Sequence, residues 1–299
     1  MCNLAGRILN LSSYLAHMKP LTKLKLLHRL RRIVYSVKNR PKIQSKNCKI
    51  GKNVTFGKNV HIQAENVIIG DGCIIQDNVR INGKTFVIGD YGTIYHDCFF
   101  PGGEVEIGHN FWLGAGSIVD GRAGTTIGNN VGIGAHSQLW THMVYGDMME
   151  GCRFHSEKKL TIGNDVWLTG HNLVSPVSIG DRSMAMFGSL ITKDMGINKT
   201  YAGIPAKDIT DKLGAQFKEN TLAEKRLILE TKLLDFIRKI GFESIEEVVE
   251  IAGDIKIDSK AMNRITINIQ NRTYIKTGSA LEFALIRSLL PEIKLTPSI

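Results

Sequence analysis

Between Ile50 and Lys193 one short phrase recurs: an aliphatic residue, usually Gly, two polar or small residues, a small apolar residue, then any residue. Examples are I-G-K-N-V-T (50–55), I-G-D-G-C-I (69–74), I-G-H-N-F-W (107–112), L-G-A-G-S-I (113–118), I-G-N-N-V-G (127–132) and I-G-N-D-V-W (162–167). The I-G phrases begin at Ile50, Ile69, Ile88, Ile107, Ile127, Ile162 and Ile179, at intervals of 19, 19, 19, 20, 35 and 17 residues. A coil of three six-residue phrases needs about 18 residues, which five of the six intervals satisfy. The long interval is one coil plus an insertion of roughly 17 residues between Val144 and Ile162, and an insertion into a regular solenoid maps to a loop on one face, often the binding face.

Each phrase is too short for a helix and opens with one large apolar residue. Its fifth position is usually small: Val54, Val60, Cys73, Val79, Cys98, Ser117, Val131, Ser137, Val166, Ser183. Large and small side chains at fixed positions form inward files when coils stack, and one coil alone cannot bury its apolar side. The Gly after the aliphatic residue suits a tight corner or a close approach of backbones. The predicted longer outward excursions are 62–68 and the turn-rich corner V-D-G-R-A-G-T-T (119–126).

After the last coil come G-S-L-I-T-K-D-M (188–195) and Y-A-G-I-P-A-K-D-I (201–209). With the repeats, these segments make the chain resemble the hexapeptide-repeat acyltransferases, of the sugar O-acetyltransferase type similar to the galactoside and maltose acetyltransferases. The resemblance covers about half the chain. It implies a mainly β fold: a left-handed parallel β-helix of about seven to eight coils, with an N-terminal helical segment and a small C-terminal α+β appendage. Handedness comes from the resemblance, since left-handed parallel crossovers are rare. The implied domains are a basic amphipathic helical segment (1–48), the β-helix (49–210) and the appendage (211–299). The resemblance further implies acetyl-CoA as acyl donor, a homotrimer with sites between neighbouring β-helices, and a sugar or polysaccharide acceptor.

His142, in L-W-T-H-M-V (139–144), stands at the mouth of the insertion and matches the placement of the family's catalytic base. A sugar hydroxyl is barely ionised near neutral pH, and imidazole can take its proton as the oxygen attacks a thioester carbonyl. The resemblance implies direct transfer within a ternary complex. Asp147 and Glu150 in the insertion are candidates to orient the ring, as is a backbone carbonyl. Trp140 and His155 are candidates for the acceptor site, with corner packing as the alternative for both. For the donor, the resemblance points to Gly170, His171, Thr192, Lys193 and Lys207. Phe187 departs from the family's small residue at that place, and V-S-P-V-S (174–178) is one residue shorter than the usual phrase. His136 and His142, six apart, could share one face, but a catalytic zinc site needs three protein ligands, so no metal is expected.

The net charge of +10 is uneven: residues 1–48 hold 11 Lys and Arg and no Asp or Glu, so the remainder sums to −1. The body offers no basic reading element, which argues against nucleic acid. Helices are predicted at 8–16 and 21–38, either capping the solenoid or lying on an anionic membrane surface. No run of 18 apolar residues exists, and the N-terminus lacks a secretory signal's pattern. Five cysteines, an odd count with two at inward repeat positions, point to a reducing cytoplasm, with peripheral membrane contact through the basic segment. In the appendage, helices are predicted at 223–240, 244–252 and 280–290, and short strands at 255–257, 265–269 and 273–275 with a turn at Asn271-Arg272. Three functions compete: O-acetylation of a sugar, N-acetylation of an amino sugar by the same base, and a non-catalytic β-helix scaffold.

Overall fold

The structure, a computed structural model, describes residues 40–252, 264–290 and 292–298. The helices predicted at 8–16 and 21–38 and the strand at 255–257 lie outside the described residues. The described chain forms two compact units, 40–219 and 220–298.

The first unit is the left-handed parallel β-helix implied by the resemblance. Its first face stacks eight parallel rungs, from Thr55–Phe56 through Trp112–Leu113, Gly132–Ile133 and Trp167–Leu168 to Thr200–Ala202. Lys207–Asp208 closes that sheet by pairing antiparallel to Thr200–Ala202. The second face runs from Lys42–Gln44 through Phe99–Phe100, Ile118–Val119, Gln138–Leu139 and Leu173–Val174 to Leu190–Ile191. The third includes Asn47–Ile50, Gly103–Ile107, Gly121–Ile127, Leu160–Ile162 and Ser178–Ile179. Residues 42–48, assigned above to the basic segment, thus form the first β-helix strands: both pair in parallel with His61–Ile69.

The phrase explains the core. Its aliphatic positions point inward, as with Ile94, Leu113, Ile133 and Leu168 on the first face, all fully buried. Small fifth residues such as Cys73, Val79, Ser117, Val131 and Ser137 are equally buried and fill the corners between them. The left-handed turn at each corner falls to the fourth residue: Asn53, Asn59, Asn78, Asp97, Asn110, Asn130 and Asp165 sit at φ 54–62°. Asn and Asp are the non-glycine residues that tolerate this region best. Their side chains link successive coils, as in Asn59 Nδ2 to Asn78 Oδ1 (3.2 Å) and Asn78 Nδ2 to Asp97 Oδ1 (2.9 Å). The Gly at position two serves close approach instead: a Cβ on Gly134 would drive into the Thr169 carbonyl and lie 2.6 Å from the Gly170 Cα.

The expected excursion at 62–68 is not one. His61–Ile69 is a single nine-residue strand that continues from the second face onto the third, pairing with Arg80–Ile88 along eight residues. Its alternating buried and exposed side chains keep Ile62, Ala64, Val67 and Ile69 inside, so the added length is absorbed as strand. The corner at 119–126 does hold an irregularity, a register shift between Gly121 and Thr125.

The second unit contains helix Leu222–Ile240, capped by Thr221 and Glu224 in a reciprocal capping box and ended by Gly241 at φ 83°. Helix Ala280–Leu289 and strands Ile265–Asn268 and Thr273–Tyr274 fall where predicted, with Arg272 at φ 53° in the turn between the strands. The predicted helix at 244–252 is instead a turn followed by strand Val249–Ala252, paired in parallel with Ile265–Asn268. Its β-branched residues gain more from sheet burial than the weak helical period could give.

Candidate active site

The second face of the β-helix is bounded by two edges, and the residues singled out from sequence collect on both. At the edge leading to the third face, Gln138–Leu139 ends and the chain turns through Trp140, Thr141 and His142. His142–Met143 then pairs antiparallel with Ser156–Glu157, so the foot of the insertion is a short hairpin that holds the histidine at its base. Lys158 N–H donates to the Thr141 carbonyl (2.9 Å), and Arg122 Nε pairs with Glu157 (2.8 Å), pinning the same foot.

The ring's partner is Asp120. His142 Nδ1 lies 2.7 Å from Asp120 Oδ2. That carboxylate is 1% exposed and also accepts from the Thr141 N–H (2.9 Å), the Thr141 hydroxyl and, at Oδ1, the Arg122 N–H (3.2 Å). Burial pushes the Asp120 pKa up, but the hydrogen bonds from Thr141, His142 and Arg122 together outweigh it and hold the pKa below the ordinary aspartate range. An ionised carboxylate can only accept, so Nδ1 carries a proton, and in the neutral form of the ring the lone pair is on Nε2. The side chain of His142 is 24% exposed, and among the described residues its ring makes no other hydrogen bond. An imidazole held in this way, with one nitrogen open, can act chemically as a base.

Asp147 and Glu150 do not orient the ring. Asp147 Oδ1 accepts instead from the Met149 N–H (2.8 Å) and the Glu150 N–H (3.4 Å), closing a turn within the insertion, and both residues are exposed. His155 is exposed on the same arm. Trp140 is brought to the site: its ring packs edge-on to His142 at 6.1 Å, and its Nε1 donates to Gln138 Oε1 (3.2 Å).

Thr192 and Lys193 follow Leu190–Ile191 and occupy the same edge as His142, two rungs further along, both exposed. Gly170, His171 and Phe187 gather at the opposite edge of the face. Gly170 is buried, and a Cβ there would lie 2.6 Å from the Phe187 ring, so the departure at Phe187 is matched by the absence of a side chain beneath it. His171 stacks at 5.1 Å on His136, both with left-handed backbone. His136 and His142 therefore sit at opposite edges and do not share a metal-binding face. Lys207 is exposed on the closing hairpin. Exposed cations and an apolar Phe187 surface suit a donor that carries phosphates on an extended arm.

Two family models match the sequence: "Bacterial transferase hexapeptide (six repeats)" over residues 47–83 and "Hexapeptide repeat of succinyl-transferase" over residues 104–135. The galactoside O-acetyltransferase of Escherichia coli (strain K12) is 34% identical over 116 residues, which are 38% of this chain and 57% of that protein. The chain thus spans little more than half the length of that relative. Among solved structures, the polysialic acid O-acetyltransferase OatWY aligns with a TM-score of 0.43 at 16% identity, over 60% of this chain and 90% of its own. AntD, an N-acyltransferase from Bacillus cereus, aligns with a TM-score of 0.35 at 16% identity, over 71% and 96%. The two matches fall within the stacked six-residue phrases, so the coils carry hexapeptide repeats like those of bacterial transferases, and this chain is similar to a sugar O-acetyltransferase over 38% of its length.

Proposed function

We propose that the protein is an acetyl-CoA-dependent O-acetyltransferase that acetylates a hydroxyl of a sugar in a surface polysaccharide or its precursor. What supports this most is the buried Asp120 carboxylate on His142 Nδ1, which leaves Nε2 as the only open nitrogen of a half-buried ring beside an indole. A base of this kind answers the one chemical difficulty of the reaction, the weak nucleophilicity of an alcohol.

In this reading His142 Nε2 accepts the hydroxyl proton as the acceptor oxygen bonds to the acyl carbon, then returns that proton to the departing thiolate. Asp120 stabilises the imidazolium formed in between. Acetyl-CoA, as co-substrate, supplies the activated acyl carbonyl. Thr192, Lys193 and Lys207 would hold its anionic portion, with Gly170, His171 and Phe187 along its arm. Trp140 offers a ring face to the acceptor sugar. Three copies assemble so that the edge carrying His142 meets the opposite edge of a neighbour, a state that light scattering reads directly. The basic N-terminal segment brings the enzyme to the cytoplasmic membrane surface.

The test is thioester cleavage followed against a panel of hydroxyl-only and amino sugars, wild type beside His142→Gln. Loss of about 10²–10⁴-fold in acceptor-dependent turnover is expected. Unchanged turnover would remove the assignment, and a preference for amino acceptors would redirect it to N-acetylation.

A further inference from the structure

The second face carries more than the edge residues. Its outward positions are in register from rung to rung: Lys42 beside His61, His61 beside Arg80, Arg80 beside Phe99, then Ile118 and Gln138. A parallel column of amides, Gln44, Gln63 and Asn82, runs alongside the cationic end. Lys42, His61, Arg80 and Phe99 line an open groove of about 990 Å³ together with these amides, while Ile118 and Gln138 continue the column beyond it.

The cations of this groove are distinct from their neighbours. Lys46 and Lys84, close by on other turns of the same coils, are paired with Glu65 (3.2 Å) and Glu104 (2.7 Å). Lys42, His61 and Arg80 have no ion pair among the described residues. The one carboxylate in the lining, Asp97, is taken by His96 Nδ1 (2.8 Å) and Asn78 Nδ2 (2.9 Å).

We propose that this groove binds an acidic stretch of the acceptor glycan, about three rungs from the reacting sugar. The inference rests on the acyltransferase reading above and adds the acceptor's class. Arg80 can fork two N–H groups onto a carboxylate or phosphate. The amides supply both donors and acceptors to ring hydroxyls, and Phe99 gives the apolar surface on which a sugar ring rests. A lipid bilayer would need a protruding basic surface, whereas this one is concave and rich in amides. At about 4.8 Å per rung, Arg80 stands about 14 Å along the axis from Gln138, whose side chain holds Trp140 beside His142. An extended polymer lying along the column reaches both.

Binding of the full-length protein to oligogalacturonate is measured by calorimetry, beside the carboxyl-reduced neutral oligomer of equal length and anionic phosphatidylserine vesicles. The acidic oligomer is expected to bind at least about tenfold tighter than the neutral one, and to weaken with added salt. Arg80→Gln with Lys42→Gln is expected to remove that preference while leaving acceptor-independent acetyl-CoA hydrolysis and the melting temperature unchanged. His142→Gln is expected to keep the binding. Equal affinity for both oligomers, a preference for vesicles, or full binding by the double variant would each overturn the groove assignment. Because the readout is binding, loss of turnover in His142→Gln with no acidic preference defeats the groove alone. Acidic binding with normal turnover in His142→Gln defeats the catalytic reading alone.

Discussion

Asp120→Asn removes a charge while keeping a side chain of nearly the same shape. The amide oxygen can take the Oδ2 position, where it still accepts from Thr141 and from His142 Nδ1, and its NH₂ then confronts only the Arg122 N–H. The reverse orientation would set NH₂ against three donors, so the first is favoured and the ring keeps its tautomer. What disappears is the attraction between a carboxylate and the imidazolium that forms when Nε2 takes a proton, across the 2.7 Å contact to Nδ1. For charges about 4 Å apart at an effective dielectric of 20 that attraction approaches about 4 kcal/mol, and the gap between charged and neutral hydrogen bonds sets a floor of about 1. Converted, kcat should fall by about 5- to 1,000-fold. The acceptor KM should hold, because the buried carboxylate has no surface to offer a sugar. Asp120→Ala should add instability, since the Thr141 and Arg122 N–H groups lose their acceptor at about 1–3 kcal/mol each. The pH dependence follows from the depressed pKa: the native carboxylate stabilises the fold above the unfolded value of about 3.9 and ceases to do so as pH falls through the lower folded value. Melting curves of wild type and Asp120→Asn should therefore converge in acid below about pH 4. Steady-state thioester assays across pH decide the matter, and an Asp120→Asn enzyme within threefold of wild type in kcat would refute the dyad.

Gly134→Ala should lower stability by about 1–3 kcal/mol, because the new Cβ meets backbone of the next coil and only a spreading of rungs can admit it. In a unit of this size that is a fall of about 2–4 °C per kcal/mol. Gly102→Ala, with nothing within 4 Å of its Cβ, is the silent control, and equal melting of the two would contradict the stacking. Burial pushes the Cys98 thiol up to about 11, whereas Cys48 is exposed. Iodoacetamide at pH 8 should thus label Cys48 and spare Cys98 in the native protein, read by peptide mass spectrometry. Rapid native labelling of Cys98 would mean that the coils open.

The β-helix was legible because its code is local and redundant. Each phrase states the same inward position, so Ile94, Leu113 and Ile133 can be assigned without knowing what covers them. The second unit lacked such redundancy. Val248 and Val249 fit a helix period as well as a strand, and only pairing with Ile265–Asn268, distant in sequence, decides for strand. The role of the second glycine was read in part. Close approach is its task at Gly134, while Asn and Asp two places later carry the left-handed backbone.

Sequence distance points away from the partner of the His142 ring. Asp147 is five residues from His142, but the insertion leaves the coil, and its carboxylate is spent on the N–H groups of its own turn. Asp120 is 22 residues away, yet Val119 pairs with Leu139, so V-D-G-R stacks directly on L-W-T-H. In a solenoid the physical neighbour of a corner residue lies one coil away, about 20 residues here, and the backbone ladder fixes that neighbour before any side chain is chosen. A corner aspartate just after a buried repeat residue, one coil before a corner histidine, was therefore a signal available in the sequence. Read as a turn-rich excursion, V-D-G-R is a statement about backbone alone. The burial of its aspartate beneath Thr141 makes it a statement about charge.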